Sequence, residues 1–272
     1  MRDTRSFPDI LEASFVLVGL LILGQFIGFV LYHAVGPFQA GDPATIGVAA
    51  IVGMGITTSC LLHYKGVTYS EIFHFSPVPR WRVLGVTAGP LLITCLGLVL
   101  VIGEAGVIVQ TLFPMSEFFK SMFERMTAGS VPSLVMLAVI APTMEELLCR
   151  GVLLRSFLEQ YSPGKALVAS SLLFALVHLN VYQIPIAFSF GLLSGWLFIN
   201  TSSLWPSILA HSLVNSLTLI CPRLRVFVDG FHFWNSTIPP STIAFTVGGG
   251  LLLYSGLVTL SWILRRFQGA RA

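Results

Sequence analysis

The chain has 272 residues, of which 55% are hydrophobic and only 10% are charged, against about 25% charged residues in an ordinary soluble domain. Because this small number of polar side chains cannot cover a globule in water, the composition excludes a soluble protein. It indicates that the lipid bilayer is the main solvent. The net charge of +3 comes with 15 Lys and Arg that lie mostly between apolar runs, and we therefore expect no nucleic-acid partner.

The apolar runs predict an all-α, polytopic membrane helix bundle of about eight transmembrane helices. They are continuously apolar, without the two-residue alternation of a membrane β-barrel. The first run is too long for a signal peptide and is interpreted as a retained helix. No soluble module interrupts the series, which favours a single integral membrane domain over residues 1–272. The runs lie near residues 10–35, 44–64, 83–109, 131–158, 164–180, 182–200, 204–221 and 241–264.

Two connections between the runs are predicted to lie at the membrane surface. The segment 66–82 contains Pro77 and Pro79, and the segment 114–127 repeats Met and Phe at helical spacing with polar residues on its other face. That pattern is typical of an amphipathic helix lying in the interface. Such a helix would cover the end of the bundle or flank a substrate entrance.

The distribution of positive charge predicts that both termini are cytoplasmic, because Lys and Arg are enriched in cytoplasmic loops. Counted from a cytoplasmic N-terminus over eight helices, the outer loops contain Lys120, Arg125, Arg223 and Arg225. The inner side contains Arg2, Arg5, Lys65, Arg80, Arg82, Arg155, Lys165, Arg265, Arg266 and Arg271.

Three ionisable residues lie near the middle of the fourth apolar run, where Glu145, Glu146 and Arg150 occur within six positions. A charge at the centre of a membrane helix costs roughly 2.5–3.5 kcal/mol, so such residues face the bundle interior and usually mark function. Glu146 and Arg150 are four residues apart and predict an ion pair. Glu145 is rotated about 100° from Glu146 and is the candidate reactive carboxylate. Pro142 removes a backbone hydrogen bond just upstream and would give that carboxylate room for a water.

The following helices add polar rows to segments that are otherwise uncharged. Phe174 and His178 are four residues apart, as are His211 and Asn215, and no Asp, Glu, Lys or Arg occurs between Lys165 and Arg223. A single membrane histidine is most often a packing residue, and a single asparagine most often links helices. Their combination with the charged trio instead predicts a common polar site, with a catalytic core over residues 131–221.

At these residues the sequence resembles the CAAX protease and bacteriocin-processing family of intramembrane proteases, which includes the Ras-converting CAAX endopeptidases. The family pattern is EExxxR, FxxxH and HxxxN or HxxxD, each on its own helix. This chain has Glu145-Glu146-Leu-Leu-Cys-Arg150, Phe174-Ala-Leu-Val-His178 and His211-Ser-Leu-Val-Asn215.

The resemblance implies a set of roles for the matching residues. Glu145 and His178 would activate water for peptide hydrolysis, and His211 and Asn215 would stabilise the tetrahedral intermediate. Glu146 and Arg150, with Phe174, would hold the site together. An apolar surrounding and fixed hydrogen-bond donors suit a general base and a developing oxyanion.

The sequence also allows other functions. A zinc-dependent protease would use Glu145, His178 and His211 as ligands with an open fourth position, although the sequence has no HExxH motif. A non-catalytic immunity or assembly factor of the same family would use the polar cluster for packing or partner binding. A transporter would use it as a proton path, but no internal repeat is found.

The leading hypothesis is an intramembrane endopeptidase without a cofactor, acting on a membrane-associated peptide or protein. The compact length suggests a prokaryotic plasma membrane. The sequence leaves open the substrate, its prenylation and the membrane face to which the site opens.

Overall fold

The computed structural model describes residues 7–34, 43–117, 120–121, 134–220 and 240–269, and their regular secondary structure is helical. The all-helical prediction is therefore confirmed, and eight long helical segments coincide with the eight apolar runs. We number the elements α1 (Ile10–Ala34), α2 (Pro43–Lys65), α3 (Tyr69–Phe73), α4 (Arg80–Leu112), α5 (136–158), α6 (Pro163–Leu176), α7 (Ile184–Thr201), α8 (Trp205–Ile220) and α9 (Pro240–Gly269).

Five of the described helices are long and apolar enough to cross a membrane: the whole of α1 and α7 and the main parts of α2, α4 and α9. With 14 and 16 residues, α6 and α8 are shorter than the roughly 20 residues that a full crossing needs. The charged trio interrupts the apolar character of α5. The protein is thus an integral membrane protein by its helices, and the count of eight crossings stays a prediction.

Helix α5 is central, because it packs against α2, α6, α7 and α8. On one side of it α1 pairs with α2, and on the other α8 leads to the closely packed pair of α4 and α9. Large apolar side chains such as Phe15, Phe26 and Leu251 face outward, as expected for surfaces in contact with lipid.

Glycines set the distance between α4 and α9. A Cβ added to Gly97 would lie 2.3 Å from the backbone nitrogen of Leu253, and one added to Gly256 would lie 2.3 Å from Thr94 Oγ1. Small residues that allow backbones to approach closely are a main device of helix association in lipid. These glycines bring two of the long apolar helices together.

Two parts of α5 are π-helical, Met136–Ile140 and Leu147–Leu154, and they flank an α-helical turn at Ala141–Glu146. In the first part, the Ala141 N–H donates to the Met136 carbonyl, five residues back. In the same register, in which each N–H donates five residues back, residue 142 would donate to the Leu137 carbonyl. Residue 142 is a proline and has no N–H. Pro142 therefore leaves the Leu137 carbonyl without its backbone partner. Such wide turns are frequent at functional sites.

One end of the bundle gathers the start of α1 and the ends of α2 and α5. Lys65 Nζ donates to the Phe7 carbonyl at 2.8 Å and to Ser156 Oγ at 2.6 Å, and Ser156 Oγ also donates to the Phe7 carbonyl at 2.9 Å. The segments that the charge count assigns to the cytoplasmic side therefore lie together in the fold.

The predicted surface segment 66–82 forms the short helix α3 and a turn. The Thr68 backbone N–H donates to the Glu71 carboxylate at 2.8 Å and thereby lowers the pKa of Glu71. His74 then pairs with Ser203, between α7 and α8, in a single antiparallel bridge. The other predicted surface helix, 114–127, lies largely outside the described residues.

The helix of the second motif, α6, is shorter than predicted. The apolar run extends to residue 180, but α6 ends at Leu176, and Leu179 has a left-handed backbone with φ of 50°. The chain turns here before α7 without the glycine or proline that signals such a turn in sequence. His178 consequently lies in a turn after the helix.

Candidate active site

A buried ion pair on α5 forms the base of the site. Arg150 Nη1 donates to Glu146 Oε1 at 3.1 Å, and both side chains are fully buried. The four-residue spacing predicted this pair, and the structure contains it. Because an isolated buried charge is very costly, each member is retained only with the other and with further hydrogen bonds.

Arg150 joins α5 to α6 and α7. Its Nη2 donates to the Gly191 carbonyl at 3.2 Å, and its Cζ lies 4.5 Å from the centroid of the Phe174 ring, a cation–π geometry. A Cβ on Gly191 would lie 2.9 Å from Ser171 Cβ, so glycine is needed for α7 to approach α6. The phenylalanine of the FxxxH motif is therefore in direct contact with the arginine of the EExxxR motif.

His211 on α8 lies between the two glutamates. Its Nδ1 is 2.9 Å from Glu146 Oε1, and its Nε2 is 3.7 Å from Glu145 Oε2. A carboxylate only accepts hydrogen bonds, so Nδ1 is the nitrogen that carries hydrogen toward Glu146. The Phe174 and Phe190 rings pack on the imidazole, with centroids at 5.8 and 4.5 Å.

Glu145 differs from Glu146 in its exposure. Its side chain is 21% exposed, whereas that of Glu146 is fully buried. The neighbouring carboxylates thus have different surroundings, as their rotation about the helix predicted. Glu145 faces an accessible space, and Glu146 is enclosed between α5, α7 and α8.

His178 is next to this cluster through Phe174. Its Nδ1 lies 2.8 Å from the Phe174 carbonyl, and the two rings meet edge to face at 5.0 Å. Because a carbonyl only accepts, Nδ1 carries the hydrogen and the neutral ring has its lone pair on Nε2. The contacts given for His178 within the described part of the chain are to Phe174 and to backbone, not to either glutamate.

Asn215 binds the backbone of α5 two turns before the glutamates. Its Nδ2 donates to the Leu137 carbonyl at 2.8 Å, the carbonyl that Pro142 leaves without a backbone donor. An amide nitrogen has two hydrogens, so one of them is committed to this contact. Asn215 therefore joins α8 to the π-helical part of α5.

Two contributors to the site were missed in the sequence. Ser194 Oγ donates a short hydrogen bond to Glu146 Oε2, and Gly191 supplies the carbonyl that binds Arg150. Both lie in the segment Gly191-Leu-Leu-Ser-Gly195, whose glycines at four-residue spacing are a signal of close helix packing. In the described residues no group of three His, Cys, Asp or Glu side chains is arranged as a metal site.

Residues 127–217 match a family model described as type II CAAX prenyl endopeptidase Rce1-like. The matched segment, about a third of the chain, contains all three motifs and every polar contact of the cluster. Searches of curated proteins and of solved structures find no match. Over this segment the chain matches the CAAX endopeptidase family model, which confirms the resemblance of its motifs.

Proposed function

We propose that this protein is a membrane-embedded CAAX-type endopeptidase whose general base is Glu145. The observation that carries the proposal is the network that joins Arg150, Glu146 and His211 beside Glu145, within a segment that matches CAAX prenyl endopeptidases. A membrane protein retains such a cluster at considerable energetic cost, which favours a functional role.

In the proposed reaction, Glu145 takes a proton from a water molecule, with His178 as a second acceptor. The water oxygen forms a bond with the carbonyl carbon of the peptide, and the carbonyl oxygen becomes negatively charged. The C–N bond then breaks, and the proton passes to the leaving nitrogen. No covalent enzyme intermediate is needed, since water is the nucleophile.

The oxyanion role places a specific demand on His211. Its Nδ1 hydrogen points to Glu146, so a donor on Nε2 requires the doubly protonated ring, with Glu146 as its counter-ion. Asn215 has one amide hydrogen left for an oxyanion beside its contact with Leu137. Glu146, Arg150 and Phe174 act by holding His211 and the helices in place.

The rest of the proposal adopts the predictions made from the sequence. The protein is a single membrane domain, with residues 131–221 as its catalytic core, eight membrane crossings, cytoplasmic termini and a prokaryotic plasma membrane as its location. Its substrate is a membrane-associated peptide or protein, and a prenylated C-terminal CAAX peptide is the class that the family match favours.

The decisive experiment replaces the proposed base. Purified protein in bilayer nanodiscs is incubated with an internally quenched, farnesylated CAAX peptide, and Glu145→Gln is compared with Glu159→Gln, an exposed glutamate just after α5. We expect Glu145→Gln to abolish cleavage because an amide cannot accept the proton, and Glu159→Gln to behave as wild type. Retention of more than a tenth of kcat by Glu145→Gln, a barrier change below about 1.4 kcal/mol, would remove Glu145 from the mechanism.

The same assay separates the alternatives. A folded wild-type protein that cleaves no peptide, and whose deletion changes no membrane peptide in cells, would support the non-catalytic immunity or assembly role. Loss of activity on exhaustive chelation, with recovery on adding Zn²⁺, would support the zinc-dependent version. We expect cleavage to continue after chelation.

A further inference from the structure

Ser194 on α7 lies outside the three motifs, yet its hydroxyl contacts the most enclosed carboxylate of the site. Its side chain is fully buried and donates to Glu146 Oε2. Other buried hydroxyls in these helices donate to backbone carbonyls: those of Thr87, Ser171 and Thr201 to the carbonyl four residues earlier, and those of Ser170 and Ser207 to a neighbouring helix. Ser194 instead donates across to a carboxylate on α5, so its position serves an interhelical contact with a charged side chain.

Glu146 needs this second anchor because Arg150 does not fix the carboxylate plane. A guanidinium that binds a carboxylate through two nitrogens holds its orientation. Here one nitrogen of Arg150 binds Glu146 Oε1 and another binds the Gly191 carbonyl. The terminal torsion of a glutamate is broad, so a single-point contact leaves the carboxylate able to rotate. The hydroxyl of Ser194 holds Oε2 and thereby keeps Oε1 in its place.

The orientation of Oε1 in turn decides the state of His211. Oε1 accepts from His211 Nδ1 at 2.9 Å, and this contact keeps the hydrogen on Nδ1 and directs Nε2 toward Glu145. A rotated Glu146 would release Nδ1, and the ring could then carry its hydrogen on Nε2, toward Glu145, with Glu146 no longer placed to balance a second proton. In buried sites the partner of one ring nitrogen sets the function of the other.

We propose that Ser194 is a positioning residue that, through Glu146, fixes the hydrogen of His211 on Nδ1 and so directs Nε2 to the reacting side of the site. The expected effect of Ser194 on kcat rests on the proposed endopeptidase function. The expected effect of Ser194 on the tautomer of His211 is independent of that function. It adds a fourth helix, α7, to the three that contain the family motifs.

The kinetic test compares Ser194→Ala with Ser207→Ala in the nanodisc assay with the farnesylated peptide. Ser207 is equally buried and donates to the Ser194 carbonyl at 2.9 Å, so its alanine variant loses a hydrogen bond at the same turn of α7 without touching a carboxylate. We expect Ser194→Ala to lower kcat by roughly 10- to 100-fold, the usual range for outer partners of a reactive group, with little change in KM. We expect Ser207→Ala to retain kcat within about threefold.

A conservative substitution of Ser194 and NMR of His211 test the positioning role directly. Ser194→Thr retains a hydroxyl and should recover most of the lost kcat, and Ser194→Cys is the smaller substitute if threonine reduces the melting temperature. Nitrogen NMR of histidine-labelled protein in bilayers, with His211→Gln used to assign the signal, should show a protonated Nδ1 in wild type. In Ser194→Ala a fraction of the His211 signal should show Nδ1 without hydrogen.

The outcomes are distinct. Equal kcat in the two alanine variants, or an unchanged His211 signal in Ser194→Ala, would overturn the positioning role. A wild-type protein that cleaves nothing, but whose His211 signal changes in Ser194→Ala and not in Ser207→Ala, would contradict the endopeptidase proposal and support the positioning of His211 by Ser194.

Discussion

The two fully buried ionisable residues of the site, Glu146 and Arg150, are each held by several specific partners. Arg150 has Glu146, the Gly191 carbonyl and the Phe174 ring, and Glu146 has Arg150, His211 and Ser194. Burying a charge without partners would cost several kcal/mol, whereas burying this set leaves most of the charged atoms satisfied. Removal of one member should therefore affect stability as well as chemistry.

Glu146→Gln tests this dependence. It leaves Arg150 buried without a countercharge, and we expect the free energy of unfolding in detergent to fall by roughly 3–5 kcal/mol. Glu145→Gln is the matched control, since Glu145 is partly exposed and Arg150 does not depend on it. Adding Arg150→Met to Glu146→Gln should recover part of the lost stability, because the unpaired charge is then gone. Equal unfolding free energies for the two single Gln variants would contradict the pairing.

The contact of Asn215 with Leu137 can be separated from an oxyanion role. Asn215→Leu leaves the Leu137 carbonyl unsatisfied, which should cost about 1–3 kcal/mol of unfolding free energy. In a Pro142→Ala background residue 142 regains an N–H five positions after Leu137, so the same substitution should cost at least about 1 kcal/mol less. Unfolding of the four proteins of this double-mutant cycle measures the coupling. Strictly additive effects would show that Pro142 does not create the need for Asn215.

At the scale of the elements, glycines decide which helices can meet. The pair α4 and α9 approaches through Gly97, Gly249 and Gly256, and α7 meets α6 through Gly191 and Gly195. In lipid, close van der Waals contact replaces the hydrophobic effect as the main force between helices. The second of these contacts also places the Gly191 carbonyl next to Arg150, so helix packing and the site depend on the same residue.

Gly97→Ala should loosen α4 from α9. Its methyl group would meet the backbone of Leu253, which cannot move as a side chain can, and overpacking of this kind typically costs 1–3 kcal/mol. Gly85→Ala on the same helix is the control, because an added Cβ there meets nothing within 4 Å and improves helix propensity. Thermal unfolding in detergent should show a lower melting temperature for the first variant and no decrease for the second. The same melting temperature for both would contradict the close approach.

At the scale of the whole molecule, the positive charges and the contacts between helices identify the same end of the bundle. Phe7 at the start of α1, Lys65 at the end of α2 and Ser156 at the end of α5 are hydrogen-bonded to one another. These are the segments next to the positive residues that predict the cytoplasmic side. An even number of crossings is required for both termini to lie on that side.

Reporter fusions test the topology. Green fluorescent protein fused to either terminus should fluoresce, because it folds in the cytoplasm, and alkaline phosphatase at the same positions should be inactive. A phosphatase inserted within residues 221–239 should be active, since eight crossings place this connection outside. Five crossings, one for each helix that is long and apolar enough, would instead put the termini on opposite sides and give opposite reporter signals.

The sequence by itself determined the environment, the helical class and the ion pair at the base of the site. Composition excludes water as the main solvent, continuous apolar runs predict helices, and the four-residue spacing of Glu146 and Arg150 predicts their pairing. These features are local, because they depend on residues within a few turns of one helix.

The tertiary structure decided what depends on contacts between distant segments. Four contacts of the site join helices whose relative rotation no periodicity predicts. They are the position of His211 between both glutamates, the Gly191 carbonyl on Arg150, the Ser194 hydroxyl on Glu146 and the link from Asn215 to Leu137. The end of α6 before His178 is equally unpredictable, since the left-handed Leu179 has no glycine or proline to signal it. Local patterns fix which residues share a helix face, and only packing fixes which faces meet.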